Sequence, residues 1–205
     1  MTDQAEIREL IDNWVVWRDA GEWERFASLW LPEGRMVATW FQASAADFIA
    51  RSQTAWEQGV MVLHSLGGTN IEVQGSRAIA QSKMQIIQRA SVHEVLVDVI
   101  CNGRFWDALE KREGRWGLML RQPIYEMDRM VPVSAGPAPE LESGVLASFP
   151  EGYRHLGYLQ SKLGLTVNKH LPGTRGPQME ALTAGGRRWL AGEGPDCLDL
   201  SWIRA

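Results

Sequence analysis

Between residues 60 and 128 the chain writes four long β segments in succession, over about 60–73, 77–90, 93–111 and 115–128. Only tight turns part them: Gln74-Gly75-Ser76-Arg77 and Lys111-Arg112-Glu113-Gly114-Arg115 both have hairpin composition. The third segment alternates, with His93, Val95, Val97, Val99 and Cys101 on one face and Glu94, Leu96, Asp98 and Ile100 on the other. Alternation at period two means that one face is committed to a core. Strands this long twist and curve, so the sheet needs a cover that follows its hollow side.

The cover is written upstream. Ile7, Leu10, Ile11, Trp14 and Trp17 fall at helical spacing over residues 5–18, and Asp19-Ala20-Gly21-Glu22 ends that helix. Trp23, Phe26, Leu29 and Trp30 mark a second, short helix, followed by a turn at Leu31-Pro32-Glu33-Gly34 and a short strand at about 35–41. Ser44 is placed to cap a third helix carrying Phe48, Ile49 and Trp56, with Gly59 just past its end. Three helices before a run of antiparallel strands predict an α+β domain with helices on one face of a curved sheet. Residues 131–150, rich in proline, glycine and serine, read as a linker. Helical character returns around Tyr153, Leu156, Leu159, Gln160 and Leu163, stopping at Gly164, and again over about 177–190. We therefore expect a main domain over 1–130 and a helical extension over 131–205 that docks on it or on a neighbouring subunit.

Composition narrows the function. Net charge is −4, with no basic face, so nucleic acid is not an expected partner. No apolar run approaches membrane-spanning length and the first residues do not read as a signal peptide, so no membrane contact and a cytoplasmic location are expected. Cys101 and Cys197 are far apart and His64, His93, His155 and His170 show no ligand spacing, so reduced thiols and no metal are expected. Ten tryptophans in 205 residues suit either a core and subunit interface or a pocket walled with aromatics.

One stretch points to chemistry. Val62-Leu63-His64-Ser65-Leu66 sets a histidine in an apolar strand just before the small-residue kink Gly67-Gly68-Thr69-Asn70. By itself His64 reads as a satisfied core histidine, Asp19 as a helix-ending residue, and Arg121 as a strand residue paired with Glu72 or Asp98.

These features resemble a family in their order. A helix ending in Asp19-Ala20-Gly21-Glu22-Trp23, then His64 with its kink, Gly103-Arg104-Phe105-Trp106-Asp107, and Gly114-Arg115-Trp116 leading to Arg121 make residues 1–130 similar to the SnoaL-like (polyketide cyclase-like) branch of the nuclear transport factor 2-like superfamily. The resemblance implies a cone-shaped curved sheet enclosing a deep pocket. Scytalone dehydratase- and bile-acid 7α-dehydratase-type members of that superfamily use an Asp–His dyad for proton removal. It implies a lyase or isomerase of dehydratase or cyclase type, acting on a hydrophobic ring compound without a cofactor. Asp19 and His64 match the dyad, and Arg121 matches a residue that would hold developing negative charge. Imidazole titrates near neutrality, and a carboxylate on its other nitrogen fixes the tautomer. Trp14, Trp17, Trp40, Gln88 and Phe105 are the expected pocket residues. The family's dyad-side tyrosines are replaced here by the run from Trp14 to Arg18. Gln88 stands where some members carry a second acid–base group, leaving His93 or Asp98 to supply one. Two other readings stay open: a non-catalytic assembly or ligand-binding subunit, similar to the β subunit of aromatic-ring-hydroxylating dioxygenases, and a carboxylate-based isomerase or epoxide hydrolase. A homotrimer or homodimer is expected in each case, and Tyr153, His155 and Tyr158 of the extension could reach a site.

Overall fold

The computed structural model describes residues 2–199. Helices α1 (Asp3–Ala20), α2 (Trp23–Ala27) and α3 (Ala45–Glu57) are interleaved with strands β1 (Trp30–Val37) and β2 (Gln42–Ser44). Strands β3 (Met61–Gln74), β4 (Arg77–Val92), β5 (Val95–Arg112) and β6 (Arg115–Pro132) follow. The extension adds α4 (Ser143–Ala147), α5 (Arg154–Lys162) and α6 (Pro177–Leu190). One curved, unclosed six-stranded sheet runs in the order β2-β1-β6-β5-β4-β3. The expected α+β class and the three-helix cover are present.

Local chemistry sets the ends that matter for the site. Thr2 accepts the Ala5 N–H at 3.3 Å, and Asp3 and Glu6 lie in the first turn of α1, where negative charge suits the helix dipole. At the other end Gly21 adopts φ 75°, a left-handed stop that leaves Asp19 in the last turn, facing β3. Ser44 caps α3 by accepting the Asp47 N–H, as its sequence position predicts. Arg8, one face of α1 away, reaches the Gly67 carbonyl and Thr69 Oγ1, so the helix is tied to the β3 kink.

The sheet is bent by register breaks in β3 between Leu66 and Thr69, and between β5 and β6 at Asn102/Gly103 and Ala108/Leu109. Extra residues of this kind bend a strand and increase its twist. Gly103 sits at one break, and a Cβ there would lie 2.0 Å from the Ile124 carbonyl oxygen. Gly103→Ala is expected to cost about 3 kcal/mol or to shift the β5–β6 pairing. Chemical denaturation read by tryptophan fluorescence checks this, and an unchanged midpoint would refute it.

Four expectations need correction. Leu31-Pro32-Glu33-Gly34 is not a turn but part of β1, which pairs with β6 in parallel across an irregularity between Trp30 and Arg35. The sheet is therefore mixed rather than wholly antiparallel. His93 and Glu94 are not in strand β5; they form its hairpin turn at φ 47° and 66°. The linker over 131–150 contains α4, and the chain after it packs back on the domain: Pro172 O accepts the Tyr125 N–H, and Thr39 O accepts the Asn168 N–H.

The core is aromatic at its centre. Trp14 is fully buried, 5.1 Å from Phe26, 5.4 Å from Phe105 and 6.4 Å from Phe48 between ring centroids. Trp106 and Trp189 are buried packing residues, the latter beneath the Arg77 guanidinium. Trp202 lies outside the described residues.

Candidate active site

A cavity of about 810 Å³ opens between α1, α3, the hollow face of the sheet and the extension. That volume suits a ligand of several rings. Trp14, Trp40, Phe48, Phe105, Ile86 and Leu156 supply most of its apolar wall.

His64 lies on this wall, projected inward from β3. Its Nδ1 is 2.8 Å from Asp19 Oδ1, and its backbone N–H donates to Asp19 Oδ2 at 2.6 Å. A carboxylate can only accept, so Nδ1 carries the proton and Nε2 is left as the basic nitrogen. Trp14 meets the imidazole edge-on at 5.3 Å and Phe105 lies at 6.2 Å, holding the ring in place. Burial would raise the Asp19 pKa, but the His64 ring and backbone N–H groups and the Arg18 guanidinium hold it below the ordinary carboxylate value. Burial pushes His64 below its ordinary 6.5, against the pull of Asp19 and assisted by Arg18 and Arg121. The pair at neutral pH is therefore an ionised carboxylate and a neutral imidazole, the state a general base requires.

The sign of the pH dependence follows. A base whose pKa is lower when folded binds fewer protons in the native state than in the unfolded chain. Its contribution to stability is complete above 6.5 and is lost as pH falls through the lowered value. Any reaction using His64 as base should keep more than half of its full rate at pH 6.5, with its acid limb centred below that value. A pH–rate profile checks this, and an acid limb centred above 6.5 would contradict it.

A second polar group reaches the cavity from the opposite side. Thr39 Oγ1 donates to Gln160 Oε1 at 2.6 Å, and Gln160 Nε2 donates to Gln88 Oε1 at 3.1 Å. Tyr125, fully buried, bonds to Thr39, and burial raises its pKa well above the ordinary value. The relay uses the Gln88 oxygen, and among the described residues nothing takes its NH₂ group, which can donate into the cavity. Gln160, Thr39 and Tyr125 were not legible as site residues, because β1, β6 and the extension meet only in three dimensions.

Among the sequence-derived candidates, Asp19, His64, Trp14, Trp40, Gln88 and Phe105 come together here. Trp17 does not; it faces away from the cavity, beneath Arg25. The helical partner of Trp14 on the cavity side is Arg18, one turn on. Arg121 also lies off the cavity wall. Its Nε and Nη2 donate to Asp107 at 2.7 and 2.8 Å, both residues fully buried, so its partner is neither Glu72 nor Asp98. The guanidinium stacks under Trp14 at 4.3 Å and Phe105 at 4.4 Å, forming a floor beneath the dyad. Asp98 is bound to Arg89 at 2.6 and 2.7 Å, and His93 contacts Glu142 and Tyr158, so neither reaches the cavity. His155 bonds Asp128, while the Tyr153 hydroxyl donates to the Asn168 carbonyl; both fasten the extension. Among the described residues no cluster of His, Cys, Asp or Glu could hold a metal ion, and no helix is long and apolar enough to cross a membrane.

Residues 1–121 match the family model described as a SnoaL-like domain. The chain is 34% identical over 202 residues to Pea pathogenicity protein 2 of Fusarium vanettenii, covering 93% of this chain and 87% of that protein. It is 32% identical over 207 residues to an uncharacterised protein of Emericella nidulans, again over 93% of this chain and 87% of the other. Among solved structures, a scytalone dehydratase-like protein from Novosphingobium aromaticivorans superimposes with TM-score 0.54 at 19% identity, over 68% of this chain and 95% of that one. A hexachlorocyclohexane dehydrochlorinase (LinA type 2) gives 0.55 at 11% identity, over 67% and 95%. At those identities the structures speak to fold alone, and the fold they share is the curved α+β sheet with its helical cover found here. The chain belongs to the SnoaL-like domain family.

Proposed function

We propose that this protein is a lyase or isomerase that removes a proton from carbon in a hydrophobic ring compound, with His64 Nε2 as base. The observation that carries the reading is the 2.8 Å contact between Asp19 and His64 on the wall of an aromatic cavity. The carbon acid lies next to a carbonyl whose oxygen accepts from the Gln88 NH₂ group, so charge moving onto that oxygen is met by a fixed donor. Asp19 stabilises the imidazolium formed. The imidazolium then returns its proton to a departing oxygen on the neighbouring carbon, as in a dehydration, or to another carbon, as in an isomerisation. Proteins with scytalone dehydratase and dehydrochlorinase names share this fold, which supports the same class.

The non-catalytic reading expects Asp19 and His64 to be apart or satisfied by backbone, and the short ring contact disfavours it. The carboxylate-based reading needs several inward acids, whereas no Asp or Glu is among the described residues lining the cavity.

Deuterium incorporation tests the proposal without knowledge of the natural substrate. Cyclic aryl ketones such as tetralones, incubated in D₂O, should exchange their α-protons faster with the protein than with buffer. Absence of exchange above the buffer rate across a panel of such ketones would count against it.

A further inference from the structure

The charged lining of the cavity is one-sided. Arg18 and Arg51 face it beside the neutral His64, and no carboxylate does among the described residues, although the whole chain carries net charge −4. Asp19 lies behind His64, its oxygens occupied by the ring and backbone N–H groups.

Arg18 is the unusual member. It is 7% exposed at the C-terminal turn of α1, and its Nη1 touches Asp19 Oδ1 at 3.2 Å and the Val62 carbonyl at 3.2 Å. Its Nε is buried without a partner, and Nη2 has none among the described residues. Arg121 also keeps one buried nitrogen, Nη1, without a partner, but its Nε and Nη2 fork onto Asp107, whereas Arg18 makes no forked pair. Leaving a charged donor unpaired costs free energy and calls for an explanation. Nε is closed off from the cavity, so Nη2 is the donor left to face its aromatic and aliphatic walls. Arg121, beneath Trp14 and Phe105, cannot meet a ligand from where it sits.

We infer that Arg18 is the anion-binding residue of this cavity, and that the cavity takes hydrophobic ring compounds carrying a carboxylate or another oxyanion beside the dyad. The inference names the substrate class for the site proposed above and treats that cavity as the ligand site. The ligand's oxyanion accepts from Arg18 Nη2 while Trp40, Phe48 and Phe105 hold its rings. Arg51, on α3 and exposed, contributes long-range attraction rather than a forked contact.

Binding of two probes of matched shape tests this: 2-naphthoate, an anion, and 2-naphthalenemethanol, its neutral counterpart. Quenching of tryptophan fluorescence gives Kd for each, with Trp14 and Trp40 as reporters. The wild-type protein should prefer the anion by about tenfold or more, the factor that corresponds to roughly 1.4 kcal/mol. Arg18→Gln should bring the ratio close to one with little change for the alcohol, and Arg18→Lys should retain part of the preference. His64→Gln should keep it, since the imidazole is neutral at the assay pH. Equal affinities in the wild type, no binding of the anion, or a preference that survives Arg18→Gln would overturn the inference. So would joint loss of both probes in a folded Arg18→Gln protein, or a preference removed by Arg51→Gln alone. Anion selectivity without proton exchange would sink the catalytic proposal and leave this one standing.

Discussion

Replacing Asp19 with asparagine should slow α-proton exchange by about 10²–10⁴-fold while leaving the protein folded. The backbone N–H of His64 can only donate, so the new amide must turn its oxygen toward that group. Its NH₂ then faces Nδ1, where a donor forces the imidazole into the opposite tautomer. The proton moves to Nε2, and the base is blocked rather than removed. His64→Ala should fall to a similar residual rate by a different route. The two losses should not add in the double variant, because each already disables the same proton acceptor. Initial rates of deuterium incorporation by mass spectrometry, with far-ultraviolet circular dichroism as the folding control, decide the matter. Exchange in Asp19→Asn within a factor of three of wild type would exclude the dyad.

The second large effect concerns the floor. Arg121→Met leaves the Asp107 carboxylate buried, unpaired and wholly screened from water, and should cost about 3–5 kcal/mol. Asp107→Leu alone strands the guanidinium and should cost a comparable amount. The double variant replaces a buried ion pair with apolar volume and should recover much of the loss. Denaturant titration of the four proteins closes the cycle. Purely additive losses would mean that the two side chains act separately. The prediction also extends to the dyad, since Trp14 and Phe105 rest on the same guanidinium that they hold beneath His64.

Much of this architecture is legible in the sequence because local signals agree with global ones. The Ser44 cap, the Gly21 stop and the period-two alternation around Val97 and Val99 each fix an element by short-range physics. Asp19 and His64 were legible only through motif order, since 45 residues separate them and nothing local predicts their contact. The Arg121 partner was hidden by one residue. A hairpin closing Arg112 on Arg115 would set Asp107 opposite Leu120; the break at Ala108/Leu109 moves it onto Arg121. Trp17 misled for a related reason. Spacings of three and four both look like one helix face, and only the docking angle of α1 shows that Trp14 and Arg18 share the cavity side. β1 was shortened because Pro32 and Gly34 read as a turn, and its parallel pairing with β6 depends on chain far away.

The relay from Thr39 through Gln160 to Gln88 has one further consequence. The base and its carboxylate are set within the first 64 residues, whereas the orientation of the group facing them is fixed by a side chain near residue 160. The stretch from Leu156 to Thr166 also forms one side of the cavity. A ribosome must therefore release the chain through Thr166 before the chamber around His64 is complete. Changes in that late stretch would alter which molecules fit while leaving the Asp19–His64 contact in place.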